Sequence, residues 1–581
     1  MVCCVAAGLR PVGFAVAGPG IPAASTQFPR TMDTQRLILL FIFGFSVLML
    51  WDAWERDHHP RPAPATPTAA AQQQTVPAPA APAGSKPTPT GVPAAAEGAA
   101  KGETIHIATD LLLAEVDTLG GTLKRVELTR HKDADDPTKD FVLLGNEHRY
   151  EAQAGLTGDI GANHRTLWRA LPGDRSLAPG RDQVELRLVA QAKDGLEVQK
   201  VYTFRRNSYL IDVVLELHNP GSAAVATYGY FQLTHDDRSD KNTNAVASTF
   251  GAQSFAGFAV YTSEHAYQKV RLSDVDKGKL DFVKHAADGW LAFVQHYFVS
   301  AWLPSGTAER DYIIEKRQDG TYAGRIVIPA SVAAGSTTKL SVPLYAGPQE
   351  HGRLEAAAPG LDRVVDYGLL DIIARPLFWL LEKFHSLSGN WGVAIILLTV
   401  LIKLIFFPLS AASYKSMAKM KLVTPRLTKI REMYGQDRQK MNQAMMELYK
   451  TEKINPLGGC FPILVQIPVF IALYWVLLGA IELRHAPFIL WIKDLSIQDP
   501  YYVLPSLMTC TMVLQTRMNP VPPDPVQAQV MKFMPFVFSI FFFFFPAGLV
   551  LYWLVNNILS ILQQWQIQRM FNRDKPAHGK R

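Results

Sequence analysis

The chain has 581 residues, of which 48% are hydrophobic and 19% charged, with a formal net charge of +7. It carries no GxxxxGK-S/T, HExxH or CxxC pattern, so the common nucleotide, zinc and redox signatures are excluded and no cofactor is expected. The four cysteines, Cys3, Cys4, Cys460 and Cys510, leave residues 60–390 without a disulfide framework.

Residues 1–31 are small, apolar and broken by Pro and Gly, without the ordered regions of a signal peptide. Met32 precedes DTQR and the apolar run Leu37–Trp51. Met32 is read as the translation start, and 1–31 as a non-native extension. Residues 32–59 are expected to form an uncleaved transmembrane anchor, with Trp51 and Trp54 as an interfacial belt and Arg36 favouring a cytoplasmic N-terminus. Residues 60–104 hold ten Pro and fourteen Ala, a composition that makes an extended linker rather than a core.

From 105 to 348 short β-rich segments alternate with turn signals, among them QVELRLVA, LEVQKVYTF and YLIDVVLELHN. Their period-2 alternation predicts an all-β sandwich. His296, inside the aromatic GWLAFVQHYFVSAW, is read as a packed structural histidine rather than a catalyst. Residues 362–386 show helical spacing at Leu369, Ile372, Ile373, Leu377, Leu380, Leu381 and Phe384, which predicts an interfacial amphipathic helix kinked at Pro376.

The span 390–409 carries one charge, Lys403, which costs roughly 2.5–3.5 kcal/mol on insertion scales. It lies six residues from Leu409, about 9 Å along the helix, so both snorkelling to that interface and a functional role are open. Residues 410–456 hold ten Lys/Arg against four acids to Lys453. They read as a basic helical hairpin turning at Gly435-Gln436-Asp437, with Leu427, Ile430, Met433 and Tyr434 lining one helix and Met441, Met445, Leu448 and Tyr449 the other. The positive-inside rule puts it in the cytoplasm. Further spans are expected at 460–481, 501–516, 533–545 and 549–567, with a loop over 482–500 outside and a basic tail over 568–581 inside. Six transmembrane helices with both termini cytoplasmic satisfy every charge bias and leave the β domain outside.

NPLGGCFPILVQIPVFIALYW (455–475) closely resembles the signature third span of the YidC membrane-insertase family. PFILWIKDLSIQDPYYVLP (487–505), FPAGLVLYWLVNN (545–557), MDTQR, GWLAFVQHYFVSAW and SMAKM are similar to further segments of the same family. The resemblance runs from Met32 to about Phe571 and identifies the Gram-negative type with a large periplasmic domain. It implies a multi-pass α-helical membrane protein with a five-helix insertase core. It also implies a galactose-mutarotase-like β-supersandwich as the periplasmic domain, although sugar chemistry does not follow from the fold.

The family places a positive charge, usually Arg, in a hydrophilic inner-leaflet groove, and Lys403 matches that position. Lys keeps the charge but loses the planar fork. Trp553 stands beside Tyr552 where the pattern often has a second Tyr. A wet groove shortens the dry path for a polar segment, and Thr399, Lys403 and Gln466 are the polar groups expected in it. Thr399 has back-bonding to a carbonyl as its alternative, and Gln466 a helix–helix hydrogen bond. Phe470 and Phe541 are expected on the substrate slide, and Lys415, Lys419, Lys421, Arg426, Lys429 and Arg431 at the ribosome or targeting contact.

The implied function is insertion and folding of inner-membrane proteins, Sec-independently and with the Sec translocon, without nucleotide hydrolysis. The implied partners are nascent membrane proteins, the ribosome, SecYEG and SecDF, the signal recognition particle receptor and membrane lipids, with no specific nucleic acid. The rival readings are a secondary transporter or channel, an anchored carbohydrate-active enzyme, and an assembly factor acting through the periplasmic domain.

Overall fold

A computed structural model describes residues 102–133, 136–158, 161–192, 195–238, 255–435, 437–452, 461–519 and 525–573. The extension, the anchor and nearly all of the linker lie outside these residues.

The alternation in the sequence becomes strands with one buried edge. In Leu210–His218 the side chains of Ile211, Val213, Leu215 and Leu217 are buried and their neighbours half-buried. Among the described residues two antiparallel sheets form. The first orders Thr104–Ala108, Leu112–Asp117, Thr122–Lys132, Glu151–Leu156, Val225–His235, Tyr322–Val332, Arg310–Lys316 and His285–Ala286, with Asp140–Leu144 beside the third. The second runs from Ala266–Arg271 through Gly257–Thr262, Trp290–Val294, Phe298–Trp302, Leu344–Pro348, Leu210–His218 and Glu197–Arg205 to Gln183–Gln191 and Arg169–Ala170.

Between the sheets sits a lysine. Lys200, fully buried on Glu197–Arg205, donates to the carbonyls of Gly120 (2.8 Å), Gly121 (3.2 Å) and Ala154 (2.6 Å). Its ammonium also lies 4.5 Å from the centre of the Trp168 ring. Gly121 sits at φ 54, the left-handed region that favours glycine, and a Cβ there would press to 3.1 Å from that ammonium. Burial pushes Lys200 down to about 7.

After a short helix at His351–Ala357, eight longer helices follow among the described residues, here α1 Asp371–Ser388, α2 Trp391–Ile405, α3 Phe407–Tyr434, α4 Arg438–Thr451, α5 Phe461–Gly479, α6 Val503–Met518, α7 Pro525–Phe542 and α8 Ala547–Arg573. α8 is the hub and packs against α2, α3, α5 and α6, while α1 covers α2 and α5. The amphipathic helix expected from 362 starts only at Asp371, because 3-10 turns occupy Leu361–Val364 and Gly368–Leu370.

The helix expected over 390–409 ends at Ile405, and the chain bends by 66° into α3. Pro408 explains the break, since it lacks an N–H and its ring collides with the carbonyl four residues back. Among the described residues no single helix is long and apolar enough to cross a membrane, and the bent α2–α3 pair passes that test together. α2 alone has 15 residues, about 22 Å of rise against a hydrocarbon core of roughly 30 Å. Asn390 caps α2 by accepting from the Val393 N–H (3.1 Å). Gly392 lets α2 meet the 482–500 loop, where a Cβ would collide with the Phe488 ring.

The basic hairpin forms as α3 and α4. Val423 and Leu427 are buried beneath Met420, Met445, Leu448 and Tyr449. Met433 and Tyr434, expected on that packing face, are exposed. Asp437 caps α4 through the N–H groups of Gln439 and Lys440, both at 3.1 Å.

The β domain is fastened to the end of α5. A helix leaves its last carbonyls without intrahelical donors, and the Leu478 carbonyl accepts from the Tyr297 hydroxyl (3.2 Å) and from the His296 ring. Arg484 donates to the Lys132 carbonyl (2.6 Å), with its guanidinium 5.3 Å from the Phe141 ring and 5.5 Å from the Phe298 ring. Burial holds the His296 imidazole at about 4, so it stays neutral at physiological pH.

Candidate functional site

The polar centre of the helical core is built on α8. Asn556, Ser560 and Gln563 follow at spacings of four and three, so they share a face. Asn557 and Gln564 flank that face, and Asn557, Ser560 and Gln564 are buried. This apolar helix therefore turns its polar side into the bundle.

Lys403 meets that side from the last turn of α2, where helix carbonyls favour a cation. It is 6% exposed, and its Nζ donates to Ser560 Oγ at 2.8 Å. Among the described residues it has no carboxylate partner. Ser560 donates in turn to the Asn556 carbonyl (2.8 Å). Gln563 Nε2 donates to the Lys403 carbonyl (3.4 Å), and Gln466 Nε2 from α5 donates to Asn556 Oδ1 (3.3 Å). Gln564 Nε2 donates to Asn519 Oδ1 (3.1 Å) at the end of α6.

Three atoms here, Asn557 Nδ2, Gln563 Oε1 and Gln564 Oε1, are buried without a hydrogen-bond partner among the described residues. Buried polar atoms are ordinarily paired with protein or ordered water, so this face suits water or a polar segment better than hydrocarbon.

The sequence-based candidates divide. Lys403 and Gln466 both join the α8 face. Thr399 does not: it is 1% exposed, and its hydroxyl is spent on the Ile395 carbonyl (2.6 Å). Tyr552 is buried in the bundle with its ring 6.1 Å from Phe470. Trp553 is half-buried, 4.5 Å from Phe470 and 5.4 Å from Phe542. Phe470 thus packs against the aromatic pair, whereas Phe541 lies partly open on α7 beside exposed Phe538 and Ile540.

On the hairpin Lys415, Lys421, Arg426 and Lys429 are exposed and Lys419 and Arg431 half-buried, with Arg426 paired to Glu452 (2.5 Å). Sequence reasoning missed Asn556, Ser560, Gln563 and Gln564. The available signal was a polar stripe at helical spacing inside the expected 549–567 span. Among the described residues no cluster of His, Cys, Asp and Glu could hold a metal ion.

The family model described as the 60Kd inner membrane protein matches residues 383–575, and that described as the YidC periplasmic domain matches 104–380. The membrane protein insertase YidC of Methylobacillus flagellatus is 52% identical over 549 residues, covering 93% of this chain and 98% of that protein. A solved active YidC insertase, with its first transmembrane domain resolved, aligns over 79% of this chain and 91% of its own at 17% identity and a TM-score of 0.36. A galactose mutarotase related enzyme from Lactobacillus acidophilus aligns over 42% of this chain and 97% of its own at 9% identity and a TM-score of 0.28.

Proposed function

The chain belongs to the YidC family of membrane protein insertases, and on that premise we propose that it inserts and helps fold inner-membrane proteins through a hydrophilic inner-leaflet groove whose positive charge is Lys403. One observation carries the reading: a lysine 6% exposed faces a polar helix side with no carboxylate to neutralise it among the described residues. A charge kept in that setting at a cost of several kcal/mol is a functional charge.

In this reading six spans, counting the one expected at Leu37–Trp54, hold the β domain in the periplasm and both termini in the cytoplasm. The basic α3–α4 hairpin receives the nascent chain, with Lys415, Lys419, Lys421, Arg426, Lys429 and Arg431 offered to the ribosome and the signal recognition particle receptor. Lys403 then draws a short acidic translocated segment into the groove. The substrate's apolar span leaves sideways past α5 and α7 into lipid. Burial drives that exit at about 25 cal/mol per Å², and the membrane potential acts on the charge. No nucleotide is consumed, and SecYEG and SecDF are partners for larger substrates.

Photocrosslinkers at positions 466 and 553 test the groove. Both should capture a stalled nascent membrane protein, while the same probe at Ile372, 83% exposed on α1, should not. Equal capture at all three positions would remove the groove from the mechanism.

A further inference from the structure

We infer that Ser560 is the positioning residue for Lys403. The inference rests on the groove reading above.

A hydroxyl has one proton and two lone pairs. The Ser560 proton goes to the Asn556 carbonyl at 2.8 Å. One lone pair receives Lys403 Nζ at 2.8 Å. Two helices converge on this one oxygen: α2 through Lys403 and α8 through Ser560 itself.

The contact fixes the ammonium without neutralising it. Of the three Nζ donors one is committed, and no other partner exists among the described residues. A carboxylate at 560 would cancel the charge. An alanine would release a flexible four-carbon stem to swing towards the membrane surface. Gln563, one turn on, holds the backbone of the same residue through the Lys403 carbonyl at 3.4 Å.

The test uses the full-length protein in proteoliposomes and two substrates. They differ only in whether the translocated segment carries Asp/Glu or Asn/Gln, and the readout is the ratio of acidic to neutral insertion. A general packing defect lowers both substrates together and leaves the ratio alone. Ser560→Ala should lower the ratio roughly tenfold, the scale of a lost hydrogen bond to a charged group, and Ser560→Thr should restore it. If Lys403→Ala abolishes the preference but Ser560→Ala keeps the wild-type ratio, the positioning role is overturned and the groove reading stands. If Lys403→Ala leaves the ratio intact, both are overturned.

Discussion

Lys200 in the β domain and Lys403 in the helical core are both buried, and they are satisfied in opposite ways. Lys200 spends all three of its donors on the carbonyls of Gly120, Gly121 and Ala154 and lies over Trp168. Lys403 spends one on Ser560. The first lysine ties two sheets together and has nothing left to offer a ligand. The second is held by the least that can hold it. Burial of a charge alone therefore does not distinguish the two lysines, whereas the number of donors left over does.

The comparison breaks most visibly at Lys200. Lys200→Ala removes three hydrogen bonds, although Tyr202 still donates to the Gly121 carbonyl (2.7 Å), and opens a cavity between the sheets, and should destabilise the β domain by on the order of 3–5 kcal/mol. Hydrogen exchange across Glu197–Arg205 in the full-length protein reads it. Protection equal to wild type would mean that the lysine is not the tie between the sheets.

Next in size is the pH dependence of that domain. Burial holds Lys200 at about 7, against about 10.4 in an unfolded chain. Between those values the unfolded state binds more protons, so stability rises with pH there. It is lost again as pH falls through 7. Lys200→Met should flatten the rise measured between pH 7 and 10 by the same exchange experiment.

Lys403→Met should change stability by only about 1 kcal/mol, since one hydrogen bond is lost and one desolvation cost relieved. Thermal unfolding in detergent measures it. A loss as large as that at Lys200 would make Lys403 structural too. The smallest effect belongs to Lys403→Arg, which keeps the charge and should change total insertion about twofold in proteoliposomes, the scale of a few tenths of a kcal/mol. A tenfold loss would mean that the stem and headgroup geometry, not charge, carries the function.

Local patterns were readable and long-range register was not. YLIDVVLELHN announces its strand by alternation, and Ile211, Val213, Leu215 and Leu217 do point inward. The α3–α4 turn at Gly435 and Asp437 was equally plain, as was Lys403 in an apolar run. The end of α2 was misread by four residues although Pro408 was the signal for it. Ser560 lies 157 residues from Lys403 and Gln563 lies 160, and no local rule aligns helices across that separation. Lys200 likewise finds its acceptors 46 to 80 residues away. Thr399 shares a helix face with Lys403 as its spacing requires, yet its hydroxyl found a nearer carbonyl. His296 shows the reverse: it was read as structural, and its partner is the end of α5.

The most direct test of the account is charge reversal at Lys403, in the groove proposed above. Lys403→Glu in the full-length protein is to be compared with wild type in proteoliposomes, using one substrate whose short translocated segment is either acidic or basic. If an unneutralised charge recruits the segment, wild type inserts the acidic form better and Lys403→Glu inserts the basic form better. An unchanged preference for the acidic form in Lys403→Glu would contradict the account.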